Sequence, residues 1–306
     1  MSRGKTVLAG LAVGAALGAL AAPTEAATLV RGPSGITYYA AAGEHNVLQL
    51  STSGNPVYGP TAVQVTDQVL IWPGSSGCLS LLVGSAVCST SPFSFSADLR
   101  DGDDVVRTGV QGALVRPNHG ADLVQSGPAL RIVEDEPPAA SRGDRYFATT
   151  SSLTYGGRAT VAVTLDGMAN DGAPGEGDDV RTGSVTVTGA ASTSLTGNAD
   201  ANGLSITDGG GAVAGLGGDD VLAARGGDIA VVDGGAGADH LLARSGTIVG
   251  GPGRDHVSRA DQQLPVAVLV RDGEADEVLC DPAMTVVADP LDTVLGACGS
   301  LDVAAP

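Results

Sequence analysis

Lysine is all but missing: Lys5 is the only one in 306 residues. Beyond position 5 there is therefore no P-loop lysine, no Schiff-base lysine and no lysine-rich lipid-binding cluster. Aromatic residues are scarce too, with one Trp, five Tyr and three Phe, so a stacking platform for sugars or bases is hard to build. The net charge of −18 and pI near 4.3 repel a phosphate backbone, which argues against nucleic-acid and nucleotide roles. No apolar period of 3.6 residues is sustained over three turns after residue 26, which argues against long amphipathic helices. The signatures HExxH and GxSxG are absent, and the expectation is a protein that is not an enzyme.

What is present is glycine, aspartate and small apolar residues. The chain has 46 Gly, and 27 of its 34 acidic residues are Asp. Asp prefers turns and caps where Glu tolerates helix interiors, so this ratio beside abundant Gly predicts a turn-punctuated β protein. Hydrophobic residues make up 43% of the chain, enough for a core.

Residues 1–26 read as a secretory leader: Arg3 and Lys5, an apolar run over 7–22, and the small-x-small sequence Thr24-Glu25-Ala26. No second hydrophobic span follows, so no membrane span is expected in the mature chain. Cys78, Cys88, Cys280 and Cys298 form two locally spaced pairs without CxxC spacing. Nearest-neighbour disulfides are expected, as suits an oxidising compartment. Secretion to the extracellular space is the expected fate.

Three regions follow the leader. Residues 27–97 show short alternating or β-branched runs at hairpin intervals, a small N-terminal β module. Residues 98–165 carry partial repeats and a connecting segment, in which Glu134 to Pro138 reads as an exposed loop or turn. Residues 166–306 carry a repeat.

GGAGADHLL at 234–242 and GGPGRDHVS at 250–258 both follow Gly-Gly-x-Gly-x-Asp-x-apolar-x. Weaker copies surround Asp220, Asp276 and Asp292, and isolated ones stand at Gly102 to Val106, Gly120 to Val124 and Gly177 to Val180. From Asp220 to Asp292 the key aspartates are 19, 16, 21 and 16 residues apart. That is close to two nonapeptides, the length of one coil of a flattened parallel β-solenoid. The expected fold is all-β, a parallel β-roll or β-solenoid of Gly/Asp-rich repeats behind the N-terminal module. Val221, Leu241, Val257, Val278 and Val294 are its expected inward residues. Cys280 and Cys298 are one coil apart, so their disulfide is expected to pin the last coil.

Glycine in these turns permits positive φ and is expected to turn carbonyl oxygens toward a common centre, to which the repeat Asp adds a carboxylate. Hard oxygen donors suit Ca2+, and two stacked turns are needed to fill its shell. The expected ligand groups are Gly235, Gly237 and Asp239 with Gly251, Gly253 and Asp255. Gly217, Asp219, Asp220, Asp276, Asp104, Asp122 and Asp179 are further candidates.

The turns at 234–239 and 250–255 resemble those of the haemolysin-type (RTX) calcium-binding repeat proteins, in particular secreted actinobacterial members. Residues 165–180 look like a lead-in to such arrays, and 195–204 are similar to an Asn-bearing repeat variant. The resemblance covers most of the mature chain and is weakest over 129–160. It implies a β-roll, secretion and calcium binding through Gly carbonyls and repeat Asp, and it brings no catalytic residues. Only two copies are full, Arg254 adjoins Asp255, and Glu274 and Leu291 replace the fourth-position glycine. A fully degenerate array would persist as a plain solenoid.

Other constellations are weaker. Asn198 to Gly203 imitates the start of an EF-hand loop but has Gly209 where a bidentate Glu is needed. His240 and His256 share one repeat position, facing outward, where they read as surface residues able to stack; His45 and His119 read as loop residues. A carbohydrate-active β-helix enzyme would use carboxylates such as Asp178 and Asp179, or Arg107 with Asp104. The reading favoured by the turns is a secreted calcium-stabilised module with structural or surface roles, its partners being calcium ions and cell-surface or extracellular matrix components.

Overall fold

The computed structural model describes residues 26–306 apart from 56–58, 75–76, 90–93, 128, 137–142 and 261–263. The expected leader, residues 1–26, lies outside the described residues but for Ala26. Every regular element described is a strand, and the parallel strands wind into a β-solenoid of about 10 turns.

Three ladders of parallel strands run along it. The first stacks residues 47–50, 105–108, 123–126, 145–148 and 179–182. A second, longer ladder begins with Gly35–Tyr39, Ser94–Asp98, Leu114–Arg116 and Arg131–Glu134, passes through 152–155, 184–188 and Gly203–Thr207, and ends with Glu277–Cys280 and Thr293–Gly296. The third starts at Thr160–Thr164 and ends at Ser300–Val303. Early coils use the first two ladders and late coils the last two. Between them, Arg145–Tyr155 with Thr160–Thr164, and Asp179–Thr188 with Ser192–Thr196, visit all three faces.

The described residues of segment 129–165, expected as a connection or degenerate insertion, are thus part of the winding. Its strand Arg145–Tyr155 crosses from one face to the next at an irregularity between Ala148 and Ser152. The N-terminal module is mainly antiparallel, with Ala27–Arg31 on Gly35–Tyr39 and Val47–Asn55 on Gly59–Thr66, has a short parallel pairing of Ala27–Arg31 with Ile71–Trp72, and joins the solenoid through parallel pairing.

Side chains alternate across each strand, and registered inward residues form apolar columns. One runs Ala97, Val115, Ile132, Leu153, Val185, Leu204, Leu222, Leu241, Val257 and Val278, all buried. Each Val or Leu in such a column contributes about 1.5–3 kcal/mol. Val221, expected inward, is instead 56% exposed, and Leu222 fills the slot. The turn before it ends on Asp220, so the inward position comes two residues later. Both disulfides join nearest neighbours, Cys78 to Cys88 and Cys280 to Cys298, the latter across successive coils at a Cα separation of 5.1 Å.

Candidate metal-binding edge

Each Gly/Asp turn delivers its last residue to the interior edge of the next strand. There the Oδ1 of one aspartate accepts the backbone N–H of its counterpart in the preceding coil. Asn46 N–H binds Asp104, Asp104 binds Asp122, Asp122 binds Asp144 and Asp144 binds Asp178, at 2.6–3.0 Å. A second series runs Asn202, Asp220, Asp239, Asp255, Asp276 and Asp292, at 2.7–3.0 Å. The first series lies where the chain enters the first ladder, from the second ladder at every rung but Asp178, which follows Thr160–Thr164 of the third; the other lies where the third turns into the second. Both open on an asparagine, a rung without charge.

The remaining oxygen of each rung separates them. Asp144 Oδ2 accepts from the Tyr146 hydroxyl at 2.9 Å and Asp178 Oδ2 from Tyr155 at 2.6 Å, while Asp292 Oδ2 accepts the Asp289 N–H at 2.7 Å. By contrast the Oδ2 atoms of Asp104, Asp122, Asp220, Asp239, Asp255 and Asp276 are buried and have no donor among the described residues. These side chains are at most 2% exposed. A buried carboxylate oxygen without a partner is strongly disfavoured when ionised. Burial, reinforced by neighbouring carboxylates, accordingly pushes Asp104 up to about 8, Asp122 to about 9, Asp220 to about 6 and Asp255 and Asp276 to about 7.

The glycines serve two distinct geometries. Four residues before the rung, φ is positive in copy after copy: 64° at Arg100, 65° at Asn118, 77° at Leu216, 95° at Gly235 and 93° at Gly251. The turn conformation therefore persists where its sequence has degenerated. The first glycine of each full copy answers to space instead: a Cβ on Gly234 would lie 2.4 Å from Asp239 Oδ2 and 2.5 Å from the Gly250 carbonyl oxygen.

Several expected site residues stand apart from this arrangement. The carbonyl oxygens of Gly235 and Gly237 lie against the next coil along the stack, 2.0 and 1.8 Å from where a Cβ on Gly251 and Gly253 would be. Close stacking of identical turns forces that placement. Gly217 lies at the end of Gly210–Gly217, its N–H donating to the Asn198 carbonyl. Asp219 is exposed and accepts the Ala238 N–H at 2.9 Å. Asp179 is not a rung: Asp178 is, and Asp179 holds Arg181 through both oxygens at 2.8 Å. Asn46, Asp144, Asp178, Asn202 and Asp292 are rungs that the repeat pattern did not single out as ligands.

Where the three faces meet, the interior holds charge. Glu134 is fully buried rather than in an exposed loop, because it stands two residues after inward Ile132 on the same strand. Arg158 reaches Glu134 at 3.2 Å and Glu176 at 2.9 Å and lies over the Tyr155 ring. This cluster adjoins the end of the first series, since Glu176 stands two residues before Asp178.

In donor chemistry the edge fits a hard cation, since oxygen is its only donor element and six aspartate rungs retain a buried oxygen unpaired among the described residues. Among the described residues no group of three or more His, Cys, Asp or Glu is gathered as a ready cage. Comparisons with protein-family models, curated proteins and solved structures find no match for the chain.

Proposed function

We propose that the protein is a secreted calcium-binding repeat protein whose solenoid is stabilised by Ca2+ at the aspartate edge, serving as a structural or surface-interaction module. The observation that carries this reading is the six buried carboxylate oxygens without a donor among the described residues, at equivalent places in successive coils. Asp104 and Asp122 would hold ions in one group, and Asp220, Asp239, Asp255 and Asp276 in another. Bound calcium would supply the positive charge that these rungs lack. Tyrosine hydroxyls serve Asp144 and Asp178 instead, which leaves those two outside the proposed sites.

The two bonded cysteine pairs suit an oxidising, extracellular location. Among the described residues no helix is long and apolar enough to cross a membrane. Equilibrium dialysis against calcium, comparing wild type with Asp239→Asn plus Asp255→Asn, tests the assignment. Saturable binding that falls in the double variant is expected. Binding indistinguishable between the two would remove the larger group of sites, and no binding in either would leave a degenerate solenoid.

A further inference from the structure

Outside the aspartate edge, the second ladder presents an unusual column on its outer face. His240 and His256 are register partners on adjacent parallel strands, and Glu277 is the register partner of His256 on the next. All three point outward because the rungs and inward residues flanking them point in. The imidazole centroids are 5.4 Å apart. His256 Nδ1 faces Glu277 Oε1 at 3.6 Å, which directs its other nitrogen away from the carboxylate. The two rings border a depression of about 150 Å3, whose lining includes Val221, Arg225 and Ser258.

We propose that His240 and His256 form a two-imidazole site for a late first-row divalent ion such as zinc, nickel or copper. Metal–nitrogen bonds of about 2.0–2.1 Å place each ring centroid about 3 Å from the ion, so two imidazoles on one tetrahedral ion have centroids about 5 Å apart. The observed spacing matches that requirement across a rigid ladder, where the register fixes the backbone before any ion arrives. Imidazole nitrogen selects this class of metal over calcium, so the site is chemically distinct from the oxygen-only edge. Glu277 serves as a positioning residue: its carboxylate, 3.6 Å from His256 Nδ1, is placed to accept a hydrogen bond from that nitrogen as the ring settles on an ion. Water completes the coordination shell. The strongly acidic chain draws cations toward this face, offsetting the nearby Arg225.

Calorimetric titration with zinc and with nickel, in the presence of about 2 mM calcium, tests the site on wild type, His240→Ala, His256→Ala and Glu277→Gln. Constant calcium keeps the outcome independent of the proposal for the aspartate edge. Affinity is expected to fall at least tenfold in each histidine variant and severalfold in Glu277→Gln, with unchanged circular dichroism. Copper(II) bound to the wild type should show electron-spin coupling to two nitrogens, reduced to one in either histidine variant. Unchanged affinity in both histidine variants, or a two-nitrogen signal that survives His240→Ala, would overturn the proposal.

Discussion

At the residue scale, glycine and aspartate form a fitted pair. Gly234 has an ordinary φ, yet its missing side chain makes room for Asp239 Oδ2 and the Gly250 carbonyl. Gly234→Ala should therefore destabilise the fold by about 1–3 kcal/mol, as overpacking against backbone does. Gly227 is the internal control: a Cβ there meets nothing within 4 Å and its φ is not positive. Gly227→Ala should leave stability within about 0.5 kcal/mol of wild type or raise it slightly, by denaturant unfolding of both variants. Tyr155→Phe tests the division among the rungs. It removes the one donor that Asp178 Oδ2 has among the described residues and should cost about 1–3 kcal/mol in the same assay.

At the element scale, the aspartate series behaves as a unit whose protonation is tied to folding. The rungs of Asp104, Asp122, Asp220, Asp255 and Asp276 have folded pKa values raised above those of an unfolded chain, so the native state binds the extra protons. Their contribution is complete below the unfolded value of about 4 and is lost as pH rises through the folded values. In a calcium-free buffer the midpoint of thermal unfolding should fall between pH 5 and pH 8, and added calcium should flatten that slope. A midpoint that rises across this range without calcium would contradict the burial argument. The junction is the other distinctive element. Arg158→Ala leaves Glu134 and Glu176 buried without their cation and should destabilise by about 3–5 kcal/mol, measured by denaturant unfolding.

The winding was legible in the sequence because a short rule holds along it: a rung residue stands two positions before an inward apolar one. Asp239 with Leu241, Asp255 with Val257 and Asp276 with Val278 obey it, and so do Asn46 with Leu48 and Asp144 with Tyr146. Applied strictly it selects Asp178 before Val180 over Asp179, and Leu222 over Val221. The three-faced junction was not legible. Its rungs Asp144 and Asp178 are 34 residues apart, so the coil period breaks there. Glu134 resembles loop sequence until the register of its strand is known. Nor does spacing alone reveal that turn carbonyls lie against the next coil, since that placement comes from contact between neighbouring coils.

At the scale of the whole molecule, two rolls share one long ladder and switch edges at a charged, three-faced centre. The last coil pairs on one side only, and the apolar column of the third ladder surfaces there as Leu301, 47% exposed. Stability of such a stack depends on each coil holding its neighbours, so a ligand acting at many equivalent turns acts on the entire winding. A calcium site with a dissociation constant near 0.1 mM contributes about 1.8 kcal/mol at about 2 mM calcium. Several such sites amount to about 5 kcal/mol, or an increase of roughly 10 °C in the unfolding midpoint of a domain this large. The decisive measurement is the thermal unfolding midpoint at neutral pH in chelator and in about 2 mM calcium. A rise of that order is expected in the wild type, with most of it lost in Asp239→Asn plus Asp255→Asn; an identical wild-type midpoint in chelator and calcium would mean that calcium does not stabilise the solenoid.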